Sequence, residues 1–287
     1  MILGCMILGG IGIGCVCLIS IILVQFGFLL YPYFSKGGEV AMRVITKEAQ
    51  GKRPYMEDRS CNVEIGKQTH VIGIFDGHGG GDVADICNDN FPQVIRQGLS
   101  HKHDIGEVLK HSFYIVDDIV GQYKIPYIGS TAVIALVMPS SVWFANAGDS
   151  MVMVVYVSGE SELMSYEHKV ENEKGRIQSE GGRITYDDGC ARIERTLNVS
   201  RSLGDYHMKK HVICQPFIRS ISRAFNKIKY VLMASDGVWD VFNKDTLAQV
   251  MAANTSVETA LDSIVALSCS RGSDNVTVTY IDWQGPS

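Results

Sequence analysis

Strand-forming runs in this chain follow one another directly, and helix-forming runs come in adjacent pairs. Val40–Thr46, Ser60–Ile65, Val71–Phe75, Ser130–Met138, Val142–Ala145, Met151–Val157, Tyr230–Ala234 and Val276–Ile281 are rich in Val, Ile and other β-formers, often in alternation. Short turns such as Ser158-Gly159-Glu160 link neighbours. Helical spacing of apolar residues runs over Asp82–Leu99, with Val83, Ile86, Phe91, Val94 and Ile95, and over Asp104–Gln122, with Val108, Leu109, Phe113 and Val116. A second pair is predicted at Lys244–Ala252 and Val257–Ser268. A doubly wound parallel sheet would alternate strand and helix. This order predicts an α+β layered fold instead, with antiparallel sheets covered by helix pairs. The body, residues 40–283, reads as one domain without internal repeat or second linker, and 284–287 as a tail.

The first 35 residues differ from this body. Residues 6–30 are almost wholly apolar. A bilayer span needs about 20 such residues, whereas a cleaved signal has a basic start and a shorter core. Residues 1–35 are therefore expected to form an N-terminal membrane anchor with one transmembrane helix over about 6–30, followed by a juxtamembrane hinge at 36–39. Lys36, Arg43, Lys47, Lys52 and Arg53 follow the run, and the positive-inside bias expects the body to face the cytosol. The eight cysteines are widely spaced, five of them in the body, with no C-x-x-C. That pattern predicts reduced thiols rather than a disulfide frame or zinc site. A net charge of −5 excludes the basic groove that nucleic acid requires.

Aspartates recur where the apolar strands begin or end: Asp76, Asp149, Asp236 and Asp274, with Glu57 just before another strand. A turn or helix cap accounts for each one singly. Together they predict convergence, because side-by-side strands bring their ends together. Packed carboxylates repel unless cations lie between them, and hard oxygen donors suit Mg²⁺ or Mn²⁺ rather than zinc. Asp76 is then a ligand, and Gly77, lacking Cβ, offers its carbonyl. His78 has two readings, a surface histidine or the proton donor to a leaving group. Arg53 has two as well, a solvated arginine or a planar fork for phosphate.

Seven motifs, in order, resemble the metal-dependent type 2C (PPM) serine/threonine protein phosphatases. They are Arg53-x-x-Met56-Glu57-Asp58, Phe75-Asp-Gly-His-Gly-Gly80, Gly129-Ser-Thr-Ala132, Ala145-Asn-Ala-Gly-Asp-Ser150, Val199-Ser-Arg-Ser-Leu-Gly-Asp205, Ala234-Ser-Asp-Gly-Val-Trp-Asp240 and Asp274-Asn-Val-Thr-Val278. With the apolar N-terminus, the chain is most similar to the membrane-anchored 1L-type branch, which resides at the endoplasmic reticulum. The resemblance implies two antiparallel β-sheets packed as a sandwich and flanked by pairs of α-helices. It implies two Mg²⁺ or Mn²⁺ ions held by Asp76, the Gly77 carbonyl, Asp236 and Asp274, with Glu57 acting through water. Asp149 and Asp240 match a weaker third-metal position. Arg53 would bind the substrate phosphate, His78 would be the general acid, and residues 168–205 would carry a flap.

The implied reaction is hydrolysis of phosphoserine or phosphothreonine in protein substrates. A metal-bridging hydroxide attacks in line, without a covalent enzyme intermediate. No cysteine of the body has an Arg six positions later, so no cysteine-phosphatase signature competes with water as nucleophile. The chain departs from the family pattern at three places. Met151 stands where Arg is usual, the loop Gly272-Ser-Asp-Asn is one residue short, and Gln215-Pro216-Phe217 replaces Glu-Pro-Asp. The rival expectation is a catalytically weak pseudophosphatase scaffold that binds phosphoproteins, and the short loop is its only support.

Overall fold

The structure is a computed structural model and describes residues 42–101, 104–187, 189–222 and 227–283. The expected membrane span at 6–30, the hinge and the tail lie outside the described residues. Among the described residues no helix is long and apolar enough to cross a membrane.

In chain order the strands are β1 (Arg43–Ala49), β2 (Asp58–Gly66), β3 (Thr69–His78), β4 (Gly129–Ser130), β5 (Ala132–Val137), β6 (Ser141–Ala147) and β7 (Met151–Tyr156). They continue as β8 (Ser161–Leu163), β9 (Ile184–Asp187), β10 (Cys190–Ile193), β11 (Leu203–Gly204), β12 (Phe217–Ser222), β13 (Ile228–Ala234) and β14 (Val276–Asp282). The helices are α1 (Asp82–His101), α2 (Ile105–Gln122), α3 (Lys174–Ser179), α4 (Asp236–Trp239), α5 (Lys244–Ala253) and α6 (Val257–Arg271).

One large sheet runs β11-β4-β3-β5-β6-β12, with β2 also on β3, the other large sheet runs β1-β14-β13-β7-β8, and β9 and β10 pair as a separate two-stranded ribbon. Pairing within both large sheets is antiparallel. Alternation explains how they stack. On β5, Val133, Ala135 and Val137 face one core, while Ala132, Ile134 and Leu136 face another. On β13, Val231 and Met233 join the first of these cores, and Tyr230, Leu232 and Ala234 face a third. The shared core is the seam between the sheets. The outer faces are closed by α1 and α2 on one side and by α5 and α6 on the other. Strands buried on both faces read as continuous apolar runs, so the periodicity of β5 and β13 is weak in the sequence.

The layered α+β architecture is as expected, with local differences. The Ser130–Met138 run breaks at Thr131, whose N–H donates to the Asp76 carbonyl (2.9 Å) and whose hydroxyl meets Ser150 Oγ (2.7 Å). β1 begins at Arg43 and extends to Ala49, because pairing with β14 continues through Ala49↔Val276. Cys61, Cys87, Cys190, Cys214 and Cys269 carry free thiols.

Capping fixes the second helix pair. Ser256 Oγ accepts from Thr259 N (3.2 Å), and Ser256 N donates to Thr259 Oγ1 (3.3 Å). Ser256→Ala is expected to cost about 1 kcal/mol. A thermal melt should register this as a fall of roughly 2–4 °C.

Candidate active site

β3 ends the apolar run Val71–Phe75 on Asp76, Gly77 and His78. Its register with β2 sets Asp76 directly opposite Asp58. Like charges so placed are destabilising unless something offsets them. Asp236, the first residue of α4 at the end of β13, comes from the other sheet, and its carboxyl group approaches that of Asp76 closely enough for each to perturb the other's pKa. Such an approach needs a shared proton or an interposed cation. Burial, followed by the charges of Asp236, Asp58, Asp149 and Asp274, pushes the Asp76 pKa well above the carboxylate range. Burial and the charges of Asp149, Asp274 and Asp240 do the same to Asp236.

Asp149 is buried in the turn that carries the chain from β6 in one sheet to β7 in the other. Burial raises its pKa to about 6, with Lys169 opposing and Asp240 reinforcing. Asp240 follows α4 and is exposed, and its Oδ1 accepts from Lys169 Nζ (3.1 Å). Burial works against the charge of Lys169, but Asp240, Asp149 and Glu167 outweigh it and raise its pKa. An ammonium thus serves both carboxylates of the expected third-metal position.

Asp274 precedes β14. Its Oδ2 accepts from Arg53 Nη2 (2.6 Å), and its Oδ1 from Asn275 N (2.8 Å). The short Gly272-Ser273 loop therefore leaves Asp274 within the field of Asp76 and Asp236, with its carboxylate turned towards Arg53. Asn275 ties down the segment that carries Arg53 and Glu57. Its Nδ2 donates to the carbonyls of Gln50 (2.7 Å) and Tyr55 (2.9 Å), and its Oδ1 accepts from Glu57 N (2.8 Å). The Glu57 carbonyl accepts from Gly77 N at 3.3 Å. A Cβ on Gly77 would lie 2.7 Å from that carbonyl oxygen, so no larger residue fits.

Among the described residues no group of three or more His, Cys, Asp or Glu has the spacing of a complete ligand set. The donors nevertheless fit hard divalent cations. They are carboxylates, Asp76 and Asp236 approach each other from the two sheets, and Asp58 Oδ1 and Asp149 Oδ2 are buried without a hydrogen-bond partner. Asp76, Asp236 and Asp274 are the residues that could hold them.

His78 Nε2 lies 2.7 Å from Asp205 Oδ2, and Ser202 Oγ donates to that same oxygen (2.5 Å). Burial opposes a charged His78, but Asp205 outweighs it and raises the histidine pKa. Sequence reasoning gave Asp205 no role, nor Asn275, Asp58 or Lys169. Asp58 is buried, accepts from Ser235 (2.8 Å) and Thr277 (2.7 Å), and is pushed up by burial to about 6. Its place beside Glu57 in the Arg53 motif was the only signal available. Of the two remaining departures, Met151 is buried in the sheet opposite Ala234, and Phe217 opens β12 with its ring 6.0 Å from Tyr166.

The profile of the family described as Protein phosphatase 2C matches residues 42–277. The chain belongs to the protein phosphatase 2C family. This phosphatase 2C chain is 33% identical over 247 residues to Probable protein phosphatase 2C 25 of Arabidopsis thaliana, covering 81% of this chain and 62% of that protein. It is 31% identical over 280 residues to Protein phosphatase 1L of Bos taurus, covering 90% and 78%. It spans less than two thirds of the first of these relatives and more of the second. The fold matches a solved serine-threonine phosphatase 2C from Toxoplasma gondii with a TM-score of 0.73 at 20% identity, over 84% of this chain and 94% of that one. The expected PPM-type architecture is the one observed.

Proposed function

We propose that this chain is a Mg²⁺- or Mn²⁺-dependent protein serine/threonine phosphatase acting on phosphorylated proteins. The observation that carries the reading is the meeting of Asp76 and Asp236, one from each sheet, beside the Arg53–Asp274 pair. A pair of divalent ions held by Asp76, Asp236, Asp274 and the Gly77 carbonyl, with Glu57 acting through water, would neutralise phosphoryl charge and activate water. Asp149 and Asp240 would hold a weaker third ion in competition with Lys169.

The remaining work falls to the protein's own side chains. Arg53 exchanges its contact with Asp274 for two phosphoryl oxygens, a geometry that its planar fork favours. Water enters opposite the leaving oxygen, so no enzyme ester forms. His78 gives a proton to the departing seryl or threonyl oxygen. Thiols are poor competitors as nucleophiles, because burial pushes Cys61 and Cys214 up to about 12. We propose further that residues 6–30 anchor the body to a membrane, at the endoplasmic reticulum, with the body facing the cytosol. The unbroken apolar run and the basic residues after it support this.

The purified full chain should release phosphate from a phosphothreonine peptide with Mn²⁺ and lose that activity in EDTA. Arg53→Ala should raise KM for the peptide by about tenfold or more. Activity that persists in EDTA would overturn the proposal.

A further inference from the structure

Three strand ends lie side by side at the site. His78 on β3 pairs with Gly129 on β4, and Gly129 pairs with Gly204 on β11, one residue before Asp205. Gly129 is the gap across which the outer two side chains meet. A Cβ there would lie 2.1 Å from Asp205 Oδ2 and 2.4 Å from His78 Nε2. Asp205 is fully buried and held in the left-handed region, with φ 49°. Its N–H donates to the Ile128 carbonyl (3.0 Å), and Ser202 Oγ is bonded to its Oδ2.

A second tier fixes the turn itself. Asp117, buried on α2, accepts through Oδ1 from Gly204 N (2.9 Å) and Lys209 Nζ (2.7 Å). Lys209 Nζ also donates to the carbonyls of Gly204 (2.8 Å) and Ser202 (3.3 Å). The Tyr206 hydroxyl donates to the Asp117 carbonyl. One ion pair between helix and loop thus closes around both ends of the Ser202–Asp205 segment.

We propose that Asp205 is the positioning residue for His78, and that the Asp117–Lys209 pair sets the turn that aims it. Asp205 keeps a proton on Nε2 and leaves Nδ1 to face the scissile oxygen. As the bond from water oxygen to phosphorus forms, the bond to the side-chain oxygen breaks. That oxygen keeps the electron pair and takes the Nδ1 proton. His78 ends neutral, still donating Nε2–H to Asp205. This inference rests on the phosphatase reading and on His78 as the proton donor.

The leaving group provides the test. A seryl or threonyl oxygen needs protonation, whereas 4-nitrophenolate departs without it. In the full chain with Mn²⁺, Asp205→Asn should lower kcat on a phosphothreonine peptide about 10²-fold. On 4-nitrophenyl phosphate it should lose less than fivefold, with either KM changing less than threefold. His78→Gln should show the same split, and the double variant should lose no more than either single one, because the two act as a unit. Lys209→Met should give the same split at smaller amplitude. Nitrogen-15 spectra of the wild-type histidines should place a bonded proton on His78 Nε2, and Asp205→Asn should shift that signal. If Asp205→Asn does not fold, Ser202→Ala carries the same kinetic comparison. Equal losses on both substrates, no loss on either, or a neutral His78 with its proton on Nδ1 would overturn the proposal. If His78→Gln itself shows no split, the proton-donor reading fails. If His78→Gln splits and Asp205→Asn does not, only the positioning role fails.

Discussion

Asp76→Asn is expected to abolish turnover while making the metal-free protein harder to unfold. The two effects share one cause. Asp76 faces Asp58 across the ladder and lies in the field of Asp236, and its pKa stands well above the ordinary value because of burial and these neighbours. A raised folded pKa means that the folded state holds the proton more tightly than the unfolded chain. That contribution is fully present below the unfolded value and is lost as pH rises through the folded one. Without divalent ions, the wild type should therefore lose stability from about pH 4 upward, Asp58 and Asp149 adding to the loss up to about 6. Asparagine removes one repelling charge and keeps the shape. Calorimetry in EDTA at neutral pH should give a melting temperature several degrees higher, for a gain of about 1–2 kcal/mol. Phosphate release with Mn²⁺ should fall about 10³-fold, roughly 4 kcal/mol of transition-state stabilisation. A variant that melts lower than wild type in EDTA would refute the common cause.

The second large effect concerns Glu173, within residues 168–205. Glu173 accepts from Arg201 Nε, from Arg176 Nη2 (3.0 Å) and from Ser200 Oγ (2.9 Å). Its side chain is 10% exposed, against 16% for Arg201 and 21% for Arg176, so solvent offers little replacement. Burial alone would raise its pKa, but the two arginines outweigh burial and hold it at about 2. Glu173→Ala would leave both guanidinium groups part-buried without their shared partner. Breaking such a pair costs about 3–5 kcal/mol. The expected fall in melting temperature is about 10 °C, with early proteolysis within 168–205. The pH sign is opposite to that of Asp76. A depressed pKa contributes stability above the ordinary glutamate value, and that stability is lost as pH falls towards 2. Between pH ~5 and ~2, the gap between wild type and variant should therefore close.

What could be read from residues alone depended on range. The helices α1 and α2 announced themselves through apolar spacing over four or more turns, and α5 and α6 were expected as a second pair. The end of β3 was misjudged: Asp-Gly-His-Gly-Gly looks like a poor continuation of a strand and predicted a stop at Phe75, yet β3 runs on to His78 because Gly77 and His78 pair with Ser130 and Gly129 of β4. β12 was not legible: Arg219, Ser220 and Ser222 look like loop, and the strand exists because β6 offers an edge. β4 and β11 are two residues each and are defined only by their neighbours. The same holds within the site. Clustered aspartates were foreseeable from strand ends. The His78–Asp205 contact joins positions 127 apart, and Asn275 reaches Tyr55 across 220 residues, separations that no local pattern encodes.

The pairing of β1 with β14 carries a consequence for biosynthesis. Arg43 meets Asp282 and Ala49 meets Val276, so an edge strand made early waits for a partner made last. The Arg53–Asp274 contact spans 221 residues in the same way. Closing so long a loop is entropically costly and slow, and translation proceeds from the other end. A nascent chain carries Arg53, Asp76 and Asp149 long before Asp274 is made to join them. The Arg53–Asp274 corner is therefore set only when β14 leaves the ribosome, and a polypeptide truncated ahead of it keeps most of its acidic residues but lacks the strand that holds that corner together.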